Sequence, residues 1–328
     1  MKLLITGAGG YIGSVLVRLC LEKGHDVVVL DRFFFGKDTL PEESSNLKIV
    51  EGDIRTVDSS IFEGVDGVID LAAISNDPAG ELDPTKTISI NHLGRLRMAV
   101  LAKSKGVKKY LLPSSCSAYG FQEETVDETS GINPLTTYAK ANVAAEKDIL
   151  TLADDQFCVT IIRQATVYGA SYRMRFDLAV NGMTKGFFKN KKIPILKDGK
   201  QWRPFVHVKD TSKAMIMIME SEPSKVNKQL FNIGSNEQNY QIFDLAEKVA
   251  KGSGVPFEYE WYGDTDHRSY KVSFDKVKDI IGFIPSYDAE KGAKEVWDQL
   301  NDGTLDPDDI KTITLEWYKK LLADGVDI

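Results

Sequence analysis

The sequence is short of cysteine: Cys20, Cys116 and Cys158 are the only three in 328 residues, odd in number and far apart. That excludes a disulfide framework and fits a reducing compartment, so a cytoplasmic protein is expected. Its four histidines, His25, His92, His207 and His267, show no paired ligand spacing, and no metal site is expected. No apolar run approaches the length of about 18 residues that a membrane span needs. The opening residues Met1–Thr6 carry one lysine and meet Gly7 too soon for a signal-peptide core, so they read as a first buried strand. Positive charge is also scarce. Lys and Arg number 41 against 48 Asp and Glu, a net charge of −7, which lacks the basic footprint of a nucleic-acid binder. There is no repeat, low-complexity tract or linker rich in Pro or Ser. What remains is ordinary globular composition, 42% hydrophobic and 27% charged, in a chain long enough for about two domains.

Short apolar runs alternate with longer helix-compatible stretches through the first half. Lys2–Thr6, Asp26–Leu30, Leu47–Val50, Gly67–Leu71, Lys109–Pro113 and Cys158–Arg163 read as strands. Most are continuously apolar, as strands covered on both faces are. Tyr11–Lys23, Thr85–Lys105 and Thr137–Ala153 read as helices between them. Strand–helix repetition predicts an α/β fold with a doubly wound parallel sheet. The pattern loosens after Gly169, so a first domain is expected over residues 1–169 and a smaller α/β one over 170–328. Phe205–Val208 and Leu230–Ile233 could return to the main sheet, which would interweave parts of 205–240 with the first domain.

Gly7, Gly10 and Gly13 give a G-x-x-G-x-x-G turn between the first strand and first helix. Gly7 suits a tight turn, Gly10 admits a pyrophosphate to the backbone, and Gly13 lets the helix pack close to the sheet. The helix N-terminus then offers free N–H groups to phosphate. Gly7, Gly10, Tyr11, Ile12 and Gly13 are therefore candidate dinucleotide contacts. Asp31 ends the second strand, where an acid accepts ribose hydroxyls and repels a 2′-phosphate, favouring NAD over NADP. Arg32 beside it softens that preference, since arginine can pair with a 2′-phosphate, and it is a further cofactor candidate.

Farther along stand Asp53-Ile54-Arg55, Leu71-Ala72-Ala73, Pro113 to Gly120 (PSSCSAYG) and Tyr138-Ala139-Lys140-Ala141-Asn142. In this order they resemble the extended short-chain dehydrogenase/reductase family of nucleotide-sugar epimerases and dehydratases, over nearly the whole chain. The resemblance implies a Rossmann-type domain binding NAD, a substrate domain binding a nucleoside-diphosphate sugar, and a homodimer packed through residues 91–105 and 138–153. It implies catalytic roles for Ser115 and Tyr138, adenine contacts by Asp53 and Ile54, and a loop over the cofactor at Leu71, Ala72 and Ala73. Asn91 matches the asparagine of the family's N-x-x-G segment. Chemically, a tyrosinate suits removal of a hydroxyl proton as the hydride leaves, provided nearby positive charge lowers its usual pKa near 10.

The main departure is at 142. The family pattern is Y-x-x-x-K, yet Asn142 stands where the lysine belongs. Asn142 can still bond a ribose hydroxyl and remains a catalytic and cofactor candidate, but it carries no charge. Lys140 is turned about 200° around the helix from Tyr138. A charge at roughly 5 Å acts with about 3 kcal/mol, or about two pKa units. Tyr138 is therefore expected to be a weaker base than in a typical relative, unless a lysine is supplied from elsewhere. The 4,6-dehydratases of the family carry Asp and Glu directly after the catalytic Ser or Thr. Here Cys116 and Ser117 occupy those places, which disfavours dehydration. Cys116 is a substrate-side candidate or a buried filler.

Substrate contacts implied by the resemblance are Thr166, where the family usually has asparagine, Asn181, Arg203 and Arg268, with Arg173 and Arg175 weaker candidates. Arginine suits a diphosphate because its planar fork holds two oxygens. His207 reads as structural, and Trp202 as a base-stacking or core residue. The leading expectation is an NAD-dependent epimerase acting at C4 of an NDP-sugar through a 4-keto intermediate. An NDP-sugar dehydrogenase, for which residues 165–181 resemble a heptose branch, comes second. An NAD-binding protein with little catalysis is the reading of another class.

Overall fold

The computed structural model describes residues 1–264 and 268–328. Seven parallel strands form its main sheet: β1 (Lys2–Thr6), β2 (Asp26–Asp31), β3 (Leu47–Glu51), β4 (Gly67–Asp70), β5 (Lys109–Ser115), β6 (Cys158–Gln164) and β7 (Gln229–Ile233). Across the sheet they run β7-β6-β5-β4-β1-β2-β3. The order reverses beside β1, which opens a crevice at the carboxyl ends of β1 and β4. Alternate residues of β1 feed opposite faces: Leu3 and Ile5 enter one apolar core and Leu4 the other. This is why its sequence is continuously apolar rather than alternating.

Three helices carry the site. α1 (Gly13–Glu22) follows the glycine turn. α2 (Arg95–Ser104) buries Arg95, Met98, Ala99 and Ala102 on one face. α3 (Thr137–Leu150) is capped by Thr136, whose hydroxyl oxygen accepts from the Ala139 N–H at 3.1 Å. The single helix expected over Thr85–Lys105 is interrupted. Pro84–Ile88 is α-helical, Ser89–Gly94 widens into a π-helical turn, and α2 resumes the ordinary pitch. At the wide turn the Asn91 amide closes on Ile74, accepting from its N–H at 2.8 Å and donating to its carbonyl at 2.9 Å. Such turns recur where a helix must aim side chains at a site.

Leu230–Ile233 lies in β7 and pairs with β6. Phe205–Val208 does not reach the main sheet. Trp202–His207 runs parallel to Thr166–Tyr168 and antiparallel to Asn239–Gln241 in a separate three-stranded sheet. Helices Ala179–Asn190, Ile242–Ser253 and Ala289–Asn301 surround a third apolar core there. The helix Thr314–Ala323 brings Tyr318 back to Phe34 and Phe35, just beyond the end of β2.

Candidate active site

A cleft of about 590 Å³ opens at the carboxyl ends of the strands. Gly7, Gly10, Tyr11, Ile12 and Gly13 form part of its wall. Gly7 has φ +64°, and a Cβ at Gly13 would lie 2.4 Å from the Gly7 carbonyl oxygen, so the turn can only be this tight with glycine at both places. Ile12 offers α1 no side-chain cap, and the Ser14 and Val15 N–H groups already bond the Gly10 and Ile12 carbonyls at 3.0 and 3.2 Å, so it is the turn ahead of them that can meet a ligand. The Tyr11 hydroxyl donates to the Gly169 carbonyl at 2.6 Å and accepts from Asn181 at 3.1 Å, tying the turn to the second half of the chain.

Asp31 lines the same cleft and is oriented by two N–H donors, Gly9 at 2.9 Å and Phe33 at 2.6 Å. Burial raises its pKa, and those donors oppose the rise. Arg32 bonds Asp53 at 2.9 Å, and Arg55 bonds the same carboxylate at 2.6 Å. Burial pushes the Asp53 carboxyl upward, but the Arg55 and Arg32 bonds hold it at about 2. Ile54, Leu71, Ala72 and Ala73 also line the cleft. Asn91 is not among its lining residues. It is fully buried and clamps the loop at Ile74.

At the other end of the cleft stand Ser115, at the end of β5, and Tyr138 and Asn142, one turn apart on α3. Burial and the nearby Asp77 carboxylate raise the Tyr138 pKa, while Arg95, Ser115 and Asn142 act to lower it. Lys140 points away and is exposed. Asn142 is 2% exposed, and its Nδ2 has no hydrogen-bond partner among the described residues. Cys116 lies outside the cleft lining. Its thiol is buried, donates to the Arg163 carbonyl, and is pushed well above the usual thiol range by that burial.

Thr166, Arg203 and Arg268 also line the cleft. Arg203 donates to the Trp202 carbonyl at 2.9 Å, and Arg268 forms an ion pair with Asp77. Asp266 and His267, which precede Arg268 in its motif, lie outside the described residues. Asn181 is fully buried against Tyr11, Gly169 and Arg175 rather than on the cleft wall. His207 is likewise buried, stacked on Tyr287 at 3.9 Å and bonded to Glu295 at 2.9 Å.

The fold adds residues that the motifs did not identify. Arg95 lines the reacting end. Arg173, weighed only as a weak substrate contact, lines the cleft with its guanidinium 3.6 Å from the centre of the Phe35 ring. It has no carboxylate partner among the described residues, its Nε is unbonded, and burial together with Arg175 lowers its pKa to about 9. Phe34, Phe35, Tyr318 and Ile328 close the same side. No group of three or more His, Cys, Asp or Glu among the described residues is arranged to hold a metal, and no described helix is long and apolar enough to cross a membrane.

An uncapped helix start, an oriented acid at the end of β2, an unpaired buried cation and the spare Asn142 donor all suit a dinucleotide. With a serine and tyrosine at its far end, the cleft defines an enzyme of the extended short-chain dehydrogenase/reductase class. Comparison with known proteins narrows this. Residues 3–234 match the profile of the NAD dependent epimerase/dehydratase family, and the chain belongs to that family. A UDP-glucose 4-epimerase of Lacticaseibacillus casei is 28% identical over 88% of this chain and 93% of its own. A UDP-N-acetyl-alpha-D-glucosaminuronate decarboxylase of Bacillus cytotoxicus is 30% identical over 98% of this chain and 99% of its own. Among solved structures, the UDP-glucuronic acid 4-epimerase of Bacillus cereus, in complex with UDP-glucuronic acid and NAD, superposes with a TM-score of 0.82. It covers 92% of this chain and 99% of its own at 23% identity.

Proposed function

We propose that this chain epimerises a nucleoside-diphosphate sugar at C4 through a 4-keto intermediate. The observation that carries this is the single cleft shared by the glycine turn, Asp31, Ser115, Tyr138 and Asn142. Tyr138, as the phenolate, takes the proton of the C4 hydroxyl, and the Ser115 hydroxyl bonds the same oxygen and steers it. NAD, when bound, supplies the hydride acceptor and later the donor. The backbone of the glycine turn at the start of α1, with Arg173 on the same cleft, would hold its pyrophosphate, and Asp31 would accept the hydroxyls of its adenosine ribose. Asn142 Nδ2 donates to the nicotinamide ribose. Arg203 and Arg268 hold the substrate diphosphate. On the return step Tyr138 gives its proton back to the ketone oxygen.

Cys116 and Ser117 argue against dehydration, since neither brings the carboxyl group of the acid–base pair and the Cys116 thiol, kept protonated by burial, is no base at neutral pH. The decarboxylase relative favours a second reading. Oxidation at C4 of a hexuronate also activates loss of its carboxylate, and the pocket around the sugar decides between the outcomes. Homodimerisation through residues 91–105 and 138–153 is supported by Leu93 and Val100, which leave apolar surface exposed on that segment.

The test is incubation with NAD and a panel of UDP-, dTDP-, GDP- and CDP-sugars, following both NADH absorbance and the sugar products. Interconverted C4 epimers without net NADH support the proposal. Accumulating NADH with a ketone makes the chain a dehydrogenase, and release of carbon dioxide makes it a decarboxylase.

A further inference from the structure

Asn142 carries no charge, yet the position is not without one. The Arg95 guanidinium lies behind it, 1% exposed, and donates to Asn142 Oδ1 at 2.9 Å. Guanidinium can only donate, so this bond fixes the amide with its oxygen toward the arginine and leaves its buried Nδ2 free of that contact. That explains why Nδ2 is left over as a donor at the cleft. Arg95 also donates to the Asp70 and Pro113 carbonyls, which hold it at the ends of β4 and β5.

We propose that Arg95 and Asn142 together replace the missing lysine: the arginine brings the charge, the asparagine brings the donor, and Arg95 acts as a positioning residue for Tyr138. This rests on the reading of Tyr138 as the proton acceptor. Arg95 has a counter-ion, the Asp70 carboxylate 3.7 Å from its Nε. The pair is nevertheless oriented. Thr6 and Tyr110 hydroxyls bond the carboxylate, whereas the guanidinium faces Asn142. Arg95 is among the groups that act to lower the Tyr138 pKa.

The other charges around the phenol are largely matched. Asp77, which opposes the phenolate, is paired with Arg268. Arg175, which also interacts with Tyr138, is paired with Asp177 at 2.8 Å. Ser115 and Asn142 supply neutral donors. Arg95 is the cation placed to favour the phenolate from behind α3, and the asparagine transmits it by presenting a fixed dipole, positive end toward the cleft.

The test reads the phenol directly, without substrate. The protein is labelled with 13C at the tyrosine ring carbon bearing oxygen, and the Tyr138 resonance is assigned by its loss in Tyr138→Phe. Arg95→Met alone leaves the buried Asp70 carboxylate without a counter-charge and can fail to fold, so the working variant is Arg95→Met with Asp70→Asn. The proposal expects this folded double variant to titrate Tyr138 at least about one pH unit higher, with the alkaline midpoint of kcat moving with it. Adding Asn142→Lys to the double variant is expected to bring the titration back, because a lysine then supplies the charge from within the cleft. A double variant that is folded by circular dichroism, binds NADH and titrates Tyr138 within about 0.3 pH units of the parent overturns the proposal. So does a triple variant in which the lysine restores nothing. Because the titration needs no turnover, it stands apart from failure of the epimerase reading, which shows itself as absent conversion in the parent protein.

Discussion

Arg32 bonds Asp53 at 2.9 Å rather than Asp31, the acid proposed to hold the cofactor, and Arg55 holds the same Asp53 carboxylate at 2.6 Å. An arginine next to Asp31 would otherwise be the natural partner of a 2′-phosphate. Its engagement with Asp53 leaves Asp31 to set the preference. NADH is expected to bind at least tenfold more tightly than NADPH, and Asp31→Asn is expected to erase most of that difference. Fluorescence titration of the two reduced cofactors checks both.

Gly13 is the least tolerant position of the turn. A methyl group there meets the Gly7 carbonyl oxygen at 2.4 Å and the Ala8 backbone at 2.6 Å. These are backbone atoms of a turn packed on β1, so relief requires the start of α1 to move. Gly13→Ala is expected to cost about 1–3 kcal/mol of stability and to weaken NADH binding as the N–H groups are displaced. Denaturant unfolding and fluorescence binding on the same preparation measure the two effects.

Tyr138→Phe removes the proposed proton acceptor while leaving the ring in place. Turnover is expected to fall by roughly 10²–10⁴, with NADH affinity little changed. In the parent enzyme, burial and Asp77 raise the phenol pKa. The reactive species is the deprotonated one, so kcat is expected to climb with pH through neutrality toward the alkaline side. A flat kcat below neutral pH would contradict this assignment of the base.

Glu295 ties the helix Ala289–Asn301 to the segments at Ala170 and at His207–Lys209. It accepts from the Ala170 N–H at 3.1 Å and from His207 at 2.9 Å, and it pairs with Lys209. Burial pushes its carboxyl upward, but His207 and Lys209 hold it at about 2. A folded value below the unfolded one of about 4.3 gives stability that is present above about pH 4.3 and lost as pH falls toward 2. Glu295→Gln is expected to cost about 1–2 kcal/mol at neutral pH after allowance for solvent screening, a gap that narrows below about pH 4. Unfolding curves at several pH values test it.

Strands such as β2 and β5 were legible because each is a largely apolar run ended by a polar residue that lines the cleft, Asp31 for β2 and Ser115 for β5. Tyr138 and Ser115 were legible because their motif neighbours fix their place in the cleft. Trp202–His207 was harder: an apolar strand is equally at home in either sheet, and only long-range pairing with Thr166–Tyr168 decides. Arg95 left a faint signal, an arginine in register with Met98, Ala99 and Ala102 on the buried face of a helix. Its partner Asn142 is remote in sequence, and nothing local links them. Arg173 reaches the cofactor end only because the helix Thr314–Ala323 closes that side with Tyr318.

The most direct test of the central claim follows one atom. An NDP-hexose carrying deuterium at C4 is incubated with the enzyme and NAD, and the product is read by mass spectrometry and NMR. Epimerisation through the cleft described here predicts the inverted C4 epimer with its deuterium retained, since the hydride leaves and returns at the same carbon. Deuterium washed out to solvent, a product lighter by water or carbon dioxide, or an untouched C4 in every member of the sugar panel would contradict it.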